Sequence, residues 1–155
     1  MNKALFLDRD GVINVEKNYV YRIEDFEFID GIFELCHKYI DEGFLIFVVT
    51  NQAGIAKGFY SVDDFIKLMD WMIVQFQKQG IAIQKVYYCP HHPDLDIPCE
   101  CRKPNPGMIL QAAKEFDLDL SQCVLIGDKE SDLRAGRNAG LKASNLHLTF
   151  HKHSV

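Results

Sequence analysis

Four short apolar runs limit how this chain can fold. KALFLD (3–8), FLIFVVT (44–50), KVYYC (85–89) and CVLIGD (123–128) are dense in apolar side chains, with little polar alternation. A strand with one wet face alternates polar and apolar residues, whereas a strand buried on both faces reads as a continuous apolar run. Between these runs the apolar period changes to that of a helix. Ile32, Leu35, Cys36, Tyr39 and Ile40 form one helical stripe, and Phe65, Leu68, Met69, Met72 and Phe76 a second. Ser61 and Asp64 are spaced as a capping box at the start of the second helix. Ile109, Ala112, Ala113 and Phe116 make a third stripe behind Pro106, which suits a first helical position. Strands alternating with helices predict an α/β fold, a parallel sheet with helices on both faces. A fifth strand is expected near residues 144–150.

The length of 155 residues suits a single domain over 1–155, and the apolar content of 48% suits a packed core. A formal charge of -5 argues against nucleic acid and anionic membranes as partners. The opening MNKALFLDRDG meets charge too early for a signal peptide, and no run is long enough to span a bilayer. A cytoplasmic location is therefore expected. In that compartment disulfides are disfavoured, and clustered thiols point to metal.

In open parallel sheets ligands bind beyond the carboxyl ends of the strands. The first run ends in DRDGV (Asp8, Asp10, Gly11), the second in TNQAG (Thr50, Asn51) and the fourth in GDKESD (Asp128, Lys129, Asp132). CRKP supplies Arg102 and Lys103 shortly before the third helix. Carboxylates gathered at one sheet edge repel one another unless a cation neutralises them, and oxygen ligands favour Mg²⁺. A carboxylate surrounded by a metal, a hydroxyl and a lysine suits developing phosphoryl charge. Asp8 is placed to attack phosphorus, and Asp10 to serve as acid and then base. Asp132 reads as a helix cap or supporting group.

DRDGV, VVTNQ, Lys103 and GDKESD resemble, in order, the four motifs of haloacid dehalogenase (HAD) superfamily phosphatases. FEFIDG, TNQAGIAKG, YYCPHHP and CRKPNPGM are similar to the heptose bisphosphate phosphatase branch. The resemblance implies a Rossmann-like HAD fold without a cap domain, and a monomeric enzyme acting on a small phosphorylated sugar at its 7-phosphate. It implies Asp8 as nucleophile and Asp10 as acid/base, with Thr50 and Lys103 steadying the phosphoryl group. Mg²⁺ would be held by Asp8, the Asp10 carbonyl and Asp128. Substrate contacts would come from Glu16, Lys17, Asn18 and Tyr19, from Asn51, Gln52 and Ala53, and from Arg102 and Lys129. Val12 and Ala53 stand where many relatives carry threonine and serine, which removes no catalytic group.

Cys89 and His91, then Cys99 and Cys101, form two pairs at the same spacing. Three thiolates and one imidazole make a closed tetrahedral Zn²⁺ site. A structural zinc over 89–101 would fix the segment from which Arg102 and Lys103 project. His92 is a rival ligand, and symmetric spacing and family position favour His91. Cys36 and Cys123 fall in apolar patterns and read as core thiols. His147, His151 and His153 read as a polar tail, and Trp71 as a packing residue. Histidinol-phosphate phosphatases carry similar motifs and a similar zinc loop. A receiver-type signalling module would share the acidic residues, Mg²⁺, hydroxyl and lysine, but would carry its phosphorylated Asp on a later strand.

Overall fold

The computed structural model describes residues 1–96 and 98–146. Its elements run β1 (Lys3–Leu7), α1 (Ile32–Asp41), β2 (Phe44–Asn51), α2 (Val62–Lys78), β3 (Ile83–Cys89), α3 (Gly107–Phe116), β4 (Val124–Gly127), α4 (Glu130–Ala139) and β5 (Ala143–Leu146). The five strands form one sheet in the order β3-β2-β1-β4-β5, and every pairing is parallel. Such a sheet must be covered on both faces, which explains why its strands read as unbroken apolar runs.

Side-chain alternation divides the interior into two layers. Leu5, Leu7, Ile46 and Val48 face one way and pack with Ile32 and Cys36 of α1 and with Phe65, Leu68, Met69, Met72 and Phe76 of α2. Ala4, Phe6, Phe47 and Val49 face the other way, against Met108, Ile109 and Ala112 of α3 and Ala135 of α4. The stripes predicted for α1, α2 and α3 therefore supply the buried contacts of those helices. Trp71 is partly buried, with its ring 5.4 Å from that of Phe26.

Several boundaries differ from the sequence reading. β1 stops at Leu7, so Asp8 lies just past the strand, although its amide still bonds the Ile126 carbonyl at 3.1 Å. β3 starts two residues earlier than the KVYYC run. Pro106 is the residue capping α3 and not its first helical residue. β5 begins at Ala143, and residues 147–155, with His147, His151 and His153, lie outside the described part. Among the described residues, the stretches between β1 and α1 and between β2 and α2 hold no helix beyond the three-residue turn Ile23–Asp25. No helix there is long and apolar enough to cross a membrane.

The capping box is formed as the spacing predicts: Asp64 N–H donates to Ser61 Oγ, and Ser61 N–H to Asp64 Oδ2, both at 3.0 Å. These bonds hold the Asp64 carboxyl below its ordinary pKa, because the Ser61 backbone N–H and hydroxyl favour the ionised form. Ser61→Ala removes an acceptor at the start of α2 and is expected to cost about 1 kcal/mol, read as a lowered urea midpoint with unchanged slope.

Candidate active site

The parallel order brings the ends of β1, β2 and β4 to one edge, and each carries a polar group just past its last buried apolar residue. Asp8 follows β1 and Asp128 follows β4, while Thr50 and Asn51 close β2. Gly11 turns the chain away from β1 with φ 91°, a left-handed conformation that suits glycine. A Cβ there would stand 2.0 Å from Asp128 Oδ2, so the turn and Asp128 occupy adjoining space.

Lys103 reaches this edge from the loop before α3 and is buried. Its Nζ donates to Asp8 Oδ1 at 3.0 Å, to the Val49 carbonyl at 3.0 Å and, in a short contact, to Asp132 Oδ1. The lysine backbone is clamped as well: its N–H donates to Asn51 Oδ1 at 3.1 Å, and Asn51 Nδ2 donates to its carbonyl at 3.4 Å. Asp132 has a second task, accepting the Lys129 N–H at 3.2 Å at the start of α4.

The charges at this edge are unbalanced. Carboxylate oxygens of Asp8, Asp128 and Asp132 lie within 4.8 Å of one another, with Lys103 as the ammonium bonded to this group. Burial, reinforced by Asp132 and Asp10, pushes Asp8 up to about 8 against the pull of Lys103. Burial also raises Asp128, whose Oδ1 is enclosed without a hydrogen-bond partner among the described residues. Burial works against the Lys103 ammonium, but Asp8 and Asp132 outweigh it and raise its pKa. An all-oxygen group with surplus negative charge and an orphaned buried oxygen fits a small divalent cation.

Gln52 ties the other groups together. Its Nε2 meets Thr50 Oγ1 at 2.9 Å and Asp10 Oδ2 at 3.2 Å, and its Oε1 accepts from the Tyr60 hydroxyl. The cavity in front of Asp10, Gln52 and Tyr60 has a volume of about 380 Å³, with Thr50 buried behind Gln52.

The cysteine loop lies beside the cavity. Cys89 Sγ is 3.5 Å from His91 Nδ1 and 3.6 Å from Cys99 Sγ; Cys101 Sγ is 3.3 Å from His91 Nδ1 and 3.5 Å from Cys99 Sγ. Those separations are far too long for a disulfide. They are close to the edges of a tetrahedron whose bonds to a central Zn²⁺ measure about 2.0–2.3 Å. Burial opposes the Cys99 thiolate, but the Arg102 backbone N–H and the neighbouring thiols bring it down to about 7. His92 is turned elsewhere: its Nδ1 accepts the Asp94 N–H at 3.1 Å. The loop is tied to α3 where Gly107 N–H meets the Glu100 carbonyl at 3.0 Å, an approach that a Cβ on Gly107 would block at 2.2 Å.

Comparison with known proteins agrees with this geometry. Residues 100–145 match a family model described as HAD-hydrolase-like. The chain is 57% identical over 139 residues to a Campylobacter jejuni protein named D-glycero-alpha-D-manno-heptose-1,7-bisphosphate 7-phosphatase, covering 90% of this chain and 78% of that one. The chain belongs to the heptose-1,7-bisphosphate 7-phosphatase family. A Haemophilus influenzae member, named for the beta anomer, is 43% identical over 150 residues, which span 94% of this chain and 82% of that one. The D,D-heptose 1,7-bisphosphate phosphatase of B. bronchiseptica, solved with magnesium and phosphate, superimposes with a TM-score of 0.86 at 28% identity, over 98% of this chain and 84% of that one. This chain is accordingly a phosphatase of the HAD superfamily.

Within this phosphatase, Glu16, Asn18, Tyr19, Asn51, Gln52 and Ala53 line the cavity, as do Arg102 and Lys129. Lys17 is not among the lining residues: its amine pairs with Glu27 at 3.2 Å on an exposed surface. A flexible side chain beside a glutamate takes the nearest partner, which a position in a loop does not reveal. Lys57, Tyr60 and Ser131 line the cavity but are absent from the sequence reading, and His92, read there as a rival metal ligand, lines it too. Lys57 Nζ donates to the Tyr19 hydroxyl at 2.5 Å across the mouth. The signal for Lys57 and Tyr60 lay in GIAKGFY, directly after the β2 motif, where a cation and an aromatic follow a strand end.

Gly11→Ala sets a left-handed strain against a clash with Asp128. The variant is expected to lose about 1–2 kcal/mol of stability and about 100-fold in kcat, seen as a modest shift in thermal unfolding beside a much larger loss of phosphate release.

Proposed function

We propose that this phosphatase removes the 7-phosphate of D-glycero-D-manno-heptose 1,7-bisphosphate. The reaction depends on Mg²⁺ and runs through an aspartyl-phosphate on Asp8, and the product feeds the synthesis of nucleotide-activated heptose. The observation that carries the reading is the buried Lys103 ammonium bonded to Asp8 beside the unpartnered oxygen of Asp128. The substrate class rests on the names of relatives similar over most of their length. The reading takes residues 1–155 as one domain working as a monomer in the cytoplasm.

The Asp8 and Asp128 carboxylates and the Asp10 backbone carbonyl would hold Mg²⁺, which when bound neutralises the acidic edge and polarises phosphoryl oxygens. Asp8 attacks phosphorus, the bond from phosphorus to the sugar oxygen breaks, and that oxygen keeps the bonding electron pair and takes a proton from Asp10. Water then attacks the phosphoryl group and gives its proton to Asp10, freeing phosphate and restoring Asp8. Lys103 and the Thr50 hydroxyl hold the transferring group throughout. Arg102, one residue before Lys103, and Lys129 bind the remainder of the substrate. Zn²⁺ in Cys89, His91, Cys99 and Cys101 is structural, since a closed set of four protein ligands leaves no position for water.

Phosphate release is to be measured with both anomers of the heptose bisphosphate and with histidinol phosphate. The expected result is one phosphate per heptose bisphosphate, lost on chelating Mg²⁺, and the faster anomer identifies the natural substrate. Preference for histidinol phosphate would overturn the substrate assignment while keeping the chemistry. Asp8→Asn is expected to abolish turnover with the fold intact by circular dichroism, and retained turnover removes Asp8 from the nucleophile role.

Elemental analysis is expected to find about one zinc per chain. Stripping the zinc is expected to raise KM and lower kcat while helical content changes little. Full activity without zinc would refute the structural role.

A further inference from the structure

Arg9 lies between the two aspartates of the first motif, yet its side chain is fully buried. Arginine is rarely withdrawn from water without partners. Its Nη2 donates to Asp10 Oδ1 at 2.7 Å and to the Val20 carbonyl at 2.7 Å. The guanidinium lies 5.8 Å from the centroid of the Phe26 ring and 6.0 Å from that of Phe65, so aromatic rings confine it. Nε and Nη1 have no hydrogen-bond partner among the described residues. The burial therefore serves the two contacts that Nη2 makes.

A second donor meets the same carboxylate oxygen: Asn14 Nδ2 reaches Asp10 Oδ1 at 3.0 Å, from a side chain that is also fully buried. Guanidinium and amide nitrogens only donate. Oδ1 thus accepts twice, and a proton carried by Asp10 is left to Oδ2. That oxygen accepts one bond, from Gln52 Nε2 at 3.2 Å, which leaves it a lone pair for the proton, and Gln52 and Asp10 both line the cavity.

We infer that Arg9, assisted by Asn14, is a positioning residue that holds Asp10 by Oδ1, so that Oδ2 alone delivers and collects the proton. Through the Val20 carbonyl the same guanidinium fixes the end of the loop that carries Glu16, Asn18 and Tyr19. The inference rests on the reading of Asp10 as acid/base. It concerns the step in which the phosphorus–oxygen ester bond breaks. The leaving oxygen keeps the electron pair and takes the proton from Oδ2, and the attacking water later returns a proton to the same oxygen.

The test uses two small esters of similar size. Benzyl phosphate expels an alkoxide that needs the proton, whereas p-nitrophenyl phosphate expels a phenolate that does not. kcat/KM is measured on both for the unmodified enzyme, Arg9→Met, Asn14→Leu and Asp10→Asn. In Arg9→Met the rate on benzyl phosphate is expected to fall at least about tenfold further than that on p-nitrophenyl phosphate, with Asn14→Leu changing in the same direction. Equal falls on both esters would overturn the inference and leave Arg9 a purely structural residue. A split absent from Asp10→Asn as well would overturn the reading of Asp10 itself. Each ratio comes from one preparation, so partial unfolding cancels. Should Arg9→Met not fold, Asn14→Leu decides, because it removes a donor to Oδ1 and spares the bond to Val20.

Discussion

The bond from Lys103 to Asp8 is the interaction on which the rest of the site depends. The two residues are 95 positions apart, and both are buried. An ammonium taken out of water is tolerated only when fully partnered, and each partner of this one comes from a different strand end. Asp8 follows β1, the Val49 carbonyl belongs to β2, and Asp132 opens the helix after β4. The lysine acts as the keystone of that edge, because moving any of the three strand ends leaves a buried charge short of a partner.

That arrangement explains why a metal-capable loop stands next to it. Lys103 belongs to no helix or strand. Its position is set instead by the Asn51 amide on one side and by the cysteine loop on the other, where Cys101 joins the four-donor cluster. A loop of this length has little apolar area with which to order itself, and a tetrahedral ion would supply the missing constraint.

The sheet was legible in the sequence because burial on both faces writes itself as unbroken apolar runs. KALFLD, FLIFVVT and CVLIGD match their strands to within one residue at each end. Local patterns carried over equally well: Ser61 and Asp64 form their capping box because both partners lie within one turn. What could not be read were contacts that join distant segments. Asp132 looked like a cap, and it is one, but its grip on Lys103 exists only once the loop and α4 are placed side by side. Arg9 carried no signal of burial in DRDGV, yet it is enclosed by Phe26 and Phe65. Lys17 turned to its neighbour Glu27, a choice between partners that spacing does not record.

The position of β1 at the centre of the sheet has a further consequence. With β2 and β4 hydrogen-bonded on its two sides, its backbone opens only when the sheet itself comes apart, whereas loops open at far lower free energy. Asp8 therefore directly follows a strand that opens only with the sheet, whereas Lys103 lies in a loop held by the Asn51 amide and the cysteine loop. The two halves of one ion pair draw their order from separate sources, the first from global stability and the second from local stitching. The enzyme thus has two independent routes to inactivation, and along one of them the sheet is still folded when activity is gone.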